Sequence, residues 1–415
     1  MRAMSDAQFM RFALRLARRG YGMTSPNPMV GAVLVKGGKI IGRGWHRRAG
    51  LPHAEIEALH DAQKRGYSPR GATLYVTLEP CCTHGRTPPC TDAIIAAGIK
   101  RVVVGTTDPN PKHSGRAFKI LRHVGIEVVG SSRRDDRTAR RAVPTKVGGS
   151  SGASPHQKLA IECARLNEAF NYWIVHRTPF VIVKVAMTLD GKIATASGES
   201  KWITGEKARA YAMKLRRGTD AILVGVNTIL ADNPSLTFRS VQSSRFKVQS
   251  PKRLRRIVLD SMARTPLEAK VISDKQAAWT TIVVSKDAPK NRVAALSKRV
   301  NVLVAPAVRP STLDSRLSTQ IDLPWLLKKL GSENVTSLLV EGGGEVNASF
   351  LLSDLAQRLA FFYAPKILGG HDSLKAVAGE GAKSLAEAVQ LREVEWEKIG
   401  EDLMMTALVA NSAKR

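Results

Sequence analysis

Apolar and polar positions change period several times along the chain. Phe9, Ala13, Leu16 and Ala17 recur at helical spacing within an Arg-bearing segment and predict a first amphipathic helix. The segment resembles a transit peptide in composition, but it lacks a continuous apolar core and a small-residue cleavage site. "GAVLVKGGKIIGRGWH" predicts a hairpin, two β-rich runs around Gly37-Gly38. In "HAEIEALHDAQKRG", residues 53–66, Ile56, Leu59 and Ala62 share a helical face and Gly66 stops the helix. "ATLYVTLEP" predicts a strand, and "CTDAIIAAGIKRVVVGTTDPNP" a helix, a strand and a turn. From residue 1 to about 130 this alternation makes an α/β unit.

Residues 131–156 are rich in Ser, Gly and Arg and have no apolar period, which predicts a flexible linker or surface insertion. A second alternation follows. "KLAIECARLNEAFNYWIV" predicts one amphipathic helix, with Cys163 a small buried hydrophobe. "FVIVKVAMT", "ILVGVNT", "RIVLDS", "TTIVVS", "VNVLVA", "SLLVEGGG" and "LAFFYAPKIL" read as buried strands between helices. Residues 157–412 are therefore expected to form a second, larger α/β sheet domain.

The length of 415 residues suits two domains, each with its own core. Apolar content of 43% and charged content of 24% are ordinary for a globular chain, and no apolar run is long enough to span a bilayer. Four cysteines make no disulfide framework, and three of them fall between Cys81 and Cys90. A reducing cytoplasm with thiolates serving a metal is the expectation. The net charge of +29 is spread along the chain, with no basic tail. It admits nucleic acid, anionic small substrates or a general surface bias, and no aromatic-interleaved basic motif favours the first.

The candidate chemistry sits in "PHAEIEAL" and "LEPCCTHGRTPPC". His53, Cys81 and Cys90 supply one imidazole and two thiolates, which leave a fourth tetrahedral position open as in a catalytic zinc site. Glu55 lies two residues after His53, suited to shuttle protons rather than to ligate. The pattern is similar to the zinc deaminases, whose H-x-E and P-C-x-x-C elements pair a metal with a glutamate. Here eight residues separate the two cysteines instead of two. Cys82 is a candidate stray ligand, though adjacent cysteines rarely face one metal; His60 and His84 read as surface and loop residues.

"SPNPMVGAVLV", "PHAEIEAL", "LEPCCTHGRTPPC" and "DPNP" together closely resemble the deaminase half of the bifunctional riboflavin-biosynthesis deaminase–reductases. In that family the long cysteine spacing is usual, and Cys82 stands where serine is common. The resemblance implies a cytidine-deaminase-like three-layer domain over residues 1–130. It further implies that Asn27, His46, Asp108 and Asn110 line the pyrimidine and phosphate site. Asn27 and Asn110 lie between prolines and equally suit a turn-shaping role.

In the second half, "LVEGGGEVNASFLL" places Gly342, Gly343 and Gly344 between a strand and a helix, where backbone N–H groups can approach phosphate. The G-x-G-x-x-G dinucleotide fingerprint is missing. "KVAMTLDGKIATASGESKWITG", "LRRGTDAILVGVNTILADNPSLTFR" and "PKILGG" are similar to the reductase half of the same family, which has a dihydrofolate-reductase-like fold and uses NADPH. The resemblance implies that Ala186, Trp202, Thr228, Asp232, Ser261 and the turn Gly343, Gly344, Glu345, Val346, Asn347, Ala348, Ser349 contact NADPH. Lys184, Ser200, Arg216, Leu236, Arg239 and Glu341 would hold or support the substrate, with Arg216 and Arg239 clamping its 5′-phosphate. Asp190 is intact without an assigned role.

What the resemblance implies is two activities in series. The first domain deaminates a diaminopyrimidinone ribosylamino phosphate; the second reduces its ribosyl group to ribityl. Expected cofactors are one zinc per chain and NADPH; expected partners are the small phosphorylated pyrimidine and further copies of the chain, with no nucleic acid and no membrane. The rivals are a deaminase acting on nucleic acid, which the charge and H-x-E suggest, and a zinc-bearing binding protein. The wide cysteine spacing and the reductase-like half oppose the first, and intact Glu55 opposes the second.

Overall fold

The structure is a computed structural model that describes residues 4–84, 88–130, 155–238, 253–307 and 321–410. The expected linker 131–156, apart from its last two residues, and Arg239 lie outside them. The chain divides into two units, Met1–Arg177 and Thr178–Arg415.

In the first unit the elements run α1 (Asp6–Ala17), β1 (Gly31–Lys36), β2 (Lys39–Trp45), α2 (Ala54–Lys64), β3 (Thr73–Val76), α3 (Cys90–Ala96), β4 (Arg101–Val104), α4 (Arg116–His123), β5 (Glu127–Val129), α5 (Pro155–Leu166) and α6 (Glu168–His176). The sheet order is β2-β1-β3-β4-β5. The hairpin is antiparallel, as is β1 against β3, while β3, β4 and β5 run parallel. Side chains alternate across the strands, so each face carries its own core. Ala32, Leu34, Leu74, Val76, Val102 and Val104 pack with α2, α3 and α4; Val33, Val35, Tyr75 and Val103 pack with α1 and α5. Three layers result.

Two local expectations change. The buried stripe of α2 is Ala54, Ala58 and Ala62, not Ile56 and Leu59, which are half-buried. The reason lies in β2, where a Cβ on Gly42 or Gly44 would collide with the carbonyl oxygens of Ala58 and Ala54. Helix and strand backbones meet there with only methyl groups between them. The expected single helix from residue 157 is two, α5 and α6, broken at Asn167. Both group with the first unit; Leu159 and Cys163 of α5 fill the core beneath α1. The division at Arg177 thus differs from the boundary expected at residue 157.

The second unit runs β6 (Phe180–Thr188), β7 (Lys192–Ala194), α7 (Glu206–Gly218), β8 (Ala221–Gly225), α8 (Val226–Asp232), β9 (Arg255–Leu259), α9 (Lys270–Ser273), β10 (Thr280–Val284), α10 (Lys290–Ser297), β11 (Asn301–Val304), α11 (Leu323–Ser332), β12 (Ser337–Val340), α12 (Gly344–Leu352), β13 (Arg358–Ala364), β14 (Leu374–Lys375), β15 (Leu391–Ile399) and β16 (Asp402–Val409). Its sheet has nine strands in the order β11-β10-β9-β8-β12-β6-β13-β16-β15. The first seven are parallel; β16 and β15 close the edge antiparallel. One face packs on α11 and α12, the other on α8, α9 and α10. β6 pairs with β12 only as far as Val183, so its remainder, Lys184 to Thr188, overhangs the carboxyl end of β12. In open parallel sheets the crevice at the carboxyl ends is where ligands bind.

Candidate functional site

His53 is the N-cap of α2, so its ring projects from the helix end that Gly42 and Gly44 hold against the sheet. Cys81 follows β3 and Cys90 opens α3. His53 Nδ1 lies 3.5 Å from Cys81 Sγ and 3.3 Å from Cys90 Sγ. All three donor atoms lie within 4.8 Å of one another. Ligands about 2.0–2.3 Å from a common tetrahedral centre sit roughly 3.5 Å apart, so this donor set fits zinc. Cys82 turns away from the cluster, its Sγ 3.7 Å from His113 Nδ1.

Within the cluster one thiol is favoured as thiolate and the other is not. Cys81 is held down to about 4, first by its hydrogen bond with Cys90 and then by His53, while Cys90, the proton-keeping partner, is pushed up. The hydrogen bond to Cys81 raises His53. Glu55, at 3% exposure, is pushed up to about 7 by burial and then by the Cys81 charge. A carboxyl poised near neutrality can both take and give a proton.

Asn27 and His46 are brought together. Asn27 Nδ2 is 3.2 Å from His46 Nε2, and His46 Nδ1 is 3.1 Å from the Pro52 carbonyl. Since the amide and the carbonyl fix donor and acceptor, Nδ1 carries the proton and Nε2 accepts. Burial lowers the pKa of His46, which keeps it neutral, and its ring stands edge-on to His53 at 5.4 Å. Asp108 is buried and pushed up to about 7 by that burial, although it accepts the Asn110 N–H at 2.8 Å. The Asn110 Oδ1 accepts the Lys112 N–H, so the turn-shaping alternative describes this part of its side chain.

Two anchors of this site escaped the sequence reading. Buried Glu79 accepts the backbone N–H groups of Asp108, Gly115 and Ala117 at 3.1, 2.9 and 3.1 Å, tying the DPNP loop to the strand end that leads into Cys81. Buried Asn167 accepts from the Met29 N–H at 2.7 Å and donates to the Met29 carbonyl at 2.9 Å, two residues from Asn27. The acid of "LEPC" was a visible signal for the first. Nothing local marks the second, which pairs positions 138 residues apart.

In the second unit, Glu341 follows β12 directly and faces the overhang of β6. Arg216 Nε and Nη2 donate to its two oxygens at 2.8 and 3.0 Å, and Lys184 Nζ lies 3.5 Å away. Burial would raise the pKa of Glu341, but the Lys184 and Arg216 cations outweigh it and hold it at about 2. These three residues line a cavity of about 160 Å³ with Ala186, Trp202 and Arg209. The expected phosphate clamp changes accordingly: Arg216 spends three of its five N–H groups on Glu341 and on the Thr237 carbonyl.

Ser200 Oγ and Lys201 Nζ bind Asp232 Oδ1 at 3.4 and 3.0 Å, which pins the loop before α7 to the end of α8. Thr228 lies on α8, Ser261 follows the carboxyl end of β9 and the turn at Gly343 follows that of β12, so these expected NADPH positions gather at one end of the sheet. In the glycine turn, a Cβ on Gly343 would meet open space. The N–H groups of the first turn of α12 point out of that helix end. That end fits a phosphate by backbone. Val346, Asn347, Ala348 and Ser349, by contrast, are buried, with Asn347 Nδ2 given to the Ala376 carbonyl. Leu236 is buried at φ +49, a conformation that costs a side-chain-bearing residue about 1–2 kcal/mol. Asp190 accepts from Thr188 Oγ1 and the N–H groups of Leu368 and Gly369, which hold its carboxyl at about 2 and fasten the "PKILGG" loop.

Comparison with known proteins gives a family for each unit. Residues 3–106 match the family described as "cytidine and deoxycytidylate deaminase zinc-binding region", and residues 179–405 match "RibD C-terminal domain". The riboflavin biosynthesis protein RibD of Actinobacillus pleuropneumoniae is 40% identical over 409 residues, 98% of this chain and 96% of that protein. That of Aquifex aeolicus is 41% identical over 401 residues, covering 96% and 97%. Among solved structures, Acinetobacter baumannii RibD aligns with TM-score 0.77 at 30% identity over 98% of this chain and 99% of its own. A diaminohydroxyphosphoribosylaminopyrimidine deaminase/5-amino-6-(5-phosphoribosylamino)uracil reductase of Thermotoga maritima aligns at 0.74 and 34%, also covering 98% and 99%.

Proposed function

The chain belongs to the riboflavin biosynthesis protein RibD family, a bifunctional deaminase and reductase, and from that premise we propose its substrates and the residues that act on them. The first unit hydrolyses the 2-amino group of 2,5-diamino-6-(5-phosphoribosylamino)pyrimidin-4(3H)-one. The second reduces the ribosyl chain to give 5-amino-6-(5-phosphoribitylamino)uracil. The supporting observation is the convergence of His53, Cys81 and Cys90, with Glu55 buried beside them.

His53, Cys81 and Cys90 would hold the zinc. When bound, it acts as a Lewis acid that lowers the pKa of water to roughly 7. Glu55 takes the water proton and gives it to the departing ammonia. Asn27 and neutral His46 orient the pyrimidine, and Asp108 offers it a carboxyl that is part protonated near neutrality. In the second unit NADPH, when bound, supplies the hydride. Glu341, locked by Lys184 and Arg216, would present fixed charge to the ribosyl chain in the cavity, and Lys184 would hold its hydroxyls. The cavity has room for the sugar alone, so the dinucleotide would run outside it along the strand ends to the backbone of Gly343, Gly344 and Glu345.

No described helix is long and apolar enough to cross a membrane. As to compartment and assembly, we place the protein in a reducing cytoplasm as a homo-oligomer. Four free cysteines support the first reading, and the edge strand β15, with Val394 and Trp396 turned to solvent, supports the second.

The test follows ammonia release and NADPH oxidation together on the diaminopyrimidinone substrate, with Glu55→Gln beside wild type. Wild type should release ammonia and then oxidise NADPH, and the variant should do neither unless supplied with the deaminated intermediate. Ammonia released only from RNA or single-stranded DNA would overturn the assignment of the first unit.

A further inference from the structure

β9 carries a cation that neither site uses. Arg256 is fully buried, on the face that Ile222, Val224, Leu254, Val258 and Ile282 make apolar. A guanidinium survives there only if its charge is paired and its N–H groups are matched. Both conditions hold. Nε donates to Thr280 Oγ1 at 2.9 Å, Nη1 to Asp274 Oδ2 at 2.7 Å, and Nη2 to Asp274 Oδ1 at 2.8 Å and the Val271 carbonyl at 2.9 Å. These partners belong to α9, its end and β10, as expected of an arginine that only binds layers together. The remaining bond is different. Nη1 also donates, at 3.0 Å, to the Ser235 carbonyl in the irregular segment after α8.

The carbonyl on the other side of Leu236 is held in the same manner. Arg216, locked by Glu341, donates Nη1 to the Thr237 carbonyl at 2.8 Å. Leu236 is thus flanked by two carbonyls, each fixed by a guanidinium that a carboxylate grips with both oxygens. Its left-handed backbone, at φ +49, is a conformation that persists only where the surroundings over-determine it. Two anchored arginines provide that determination.

We infer that Arg256, with Asp274 behind it, is a positioning residue for the pyrimidine substrate of the reductase, acting through the Ser235 carbonyl to set the backbone at Leu236. The inference rests on the reading of the second unit as a reductase and of Leu236 as a substrate contact. Arg256 touches no reacting atom, so its effect travels through the backbone of 235–237. It therefore separates the two ligands: the pyrimidine feels the loss of Arg256, while NADPH, expected at α8, Ser261 and α12, does not.

The experiment uses the full chain with Arg256→Lys and Asp274→Asn. It measures KM and kcat for the deaminated ribosylamino substrate and for NADPH, and hydrogen exchange across 233–238. For Arg256→Lys, KM for the pyrimidine should rise about tenfold, the loss of one well-placed hydrogen bond. KM for NADPH should stay within about twofold, with exchange accelerated in 233–238 and not in β9 or β10. Asp274→Asn should move the same quantities in the same direction by less. If Arg256→Lys does not fold, Asp274→Asn decides alone, since that side chain is partly exposed. Unchanged pyrimidine KM in a folded variant overturns the inference. So does a parallel rise in both KM values with faster exchange throughout the unit, the mark of a purely structural arginine. Wild type that oxidises no NADPH with this substrate removes the reductase reading, and the inference with it; active wild type beside unaltered variants removes the inference alone.

Discussion

Replacing Glu341 by Gln keeps the shape of the side chain and deletes the charge that holds Lys184 and Arg216. Both cations have side chains only 15% exposed, and Glu341 is 10% exposed, so water compensates little. The magnitude follows from its titration. An ordinary glutamate stands at 4.5 and Glu341 at about 2. At about 1.4 kcal/mol for each tenfold, that difference corresponds to about 3 kcal/mol of stability. An independent argument gives a similar value, since removing one partner of a buried pair costs about 3–5 kcal/mol. The pH dependence has a definite sign. A depressed carboxyl contributes fully above its unfolded pKa of 4.5 and loses that contribution as pH falls towards 2. Calorimetry at pH 7 should therefore show the second unit of Glu341→Gln melting roughly 6–12 °C lower. The gap from wild type should close between pH 4.5 and 2. A gap under about 1 kcal/mol at pH 7, or one that does not shrink with acid, would refute the account of this pair.

Three further outcomes are expected. Gly44→Ala should force α2 off β2, cost about 1–3 kcal/mol as overpacking does, and lower zinc content and ammonia release, with NADPH turnover on the deaminated substrate unchanged. Asn167→Ala removes two hydrogen bonds to Met29, each contributing about 1 kcal/mol, and should lower deamination severalfold more than reduction; equal loss in both activities would count against a local anchor. Chelation of zinc should abolish ammonia release, leave reduction of the deaminated intermediate intact, and make Cys81 and Cys90 titratable by a thiol reagent, which mass spectrometry of labelled peptides would locate.

The hairpin at Gly37-Gly38, the helix from Asp6 and the parallel strands β6, β8, β9, β10 and β12 were legible because their apolar periods and turn residues are local. The zinc cluster was legible because ligand types and spacing are themselves chemistry. Ile56 and Leu59 misled as to the buried face of α2, since hydrophobicity ranks side chains by transfer and not by the space available. The glycines that set that space lie on another element. The helix expected from residue 157 breaks at Asn167, whose amide serves a loop 138 positions away. The C-terminal antiparallel pair β15 and β16 went unnoticed although Val394 and Trp396 alternate with Glu393, Glu395 and Glu397, because no residue of β15 is buried and its apolar positions mark no core face.

Residue identity by itself determined which chemistry the chain can carry: two thiolates, an imidazole and a glutamate in one half, and a glycine turn after a buried strand in the other. Those properties belong to side chains and short spacings, and no packing is needed to state them. The tertiary structure alone decided the states and partners of these groups. It placed Glu55 where burial brings it near neutrality, turned Cys82 away to His113, committed Arg216 to Glu341, and held Leu236 between two arginines. Each of these depends on groups far apart in sequence meeting in a medium of low polarity. There the energy of a charge or a hydrogen bond is set by its neighbours rather than by its own identity.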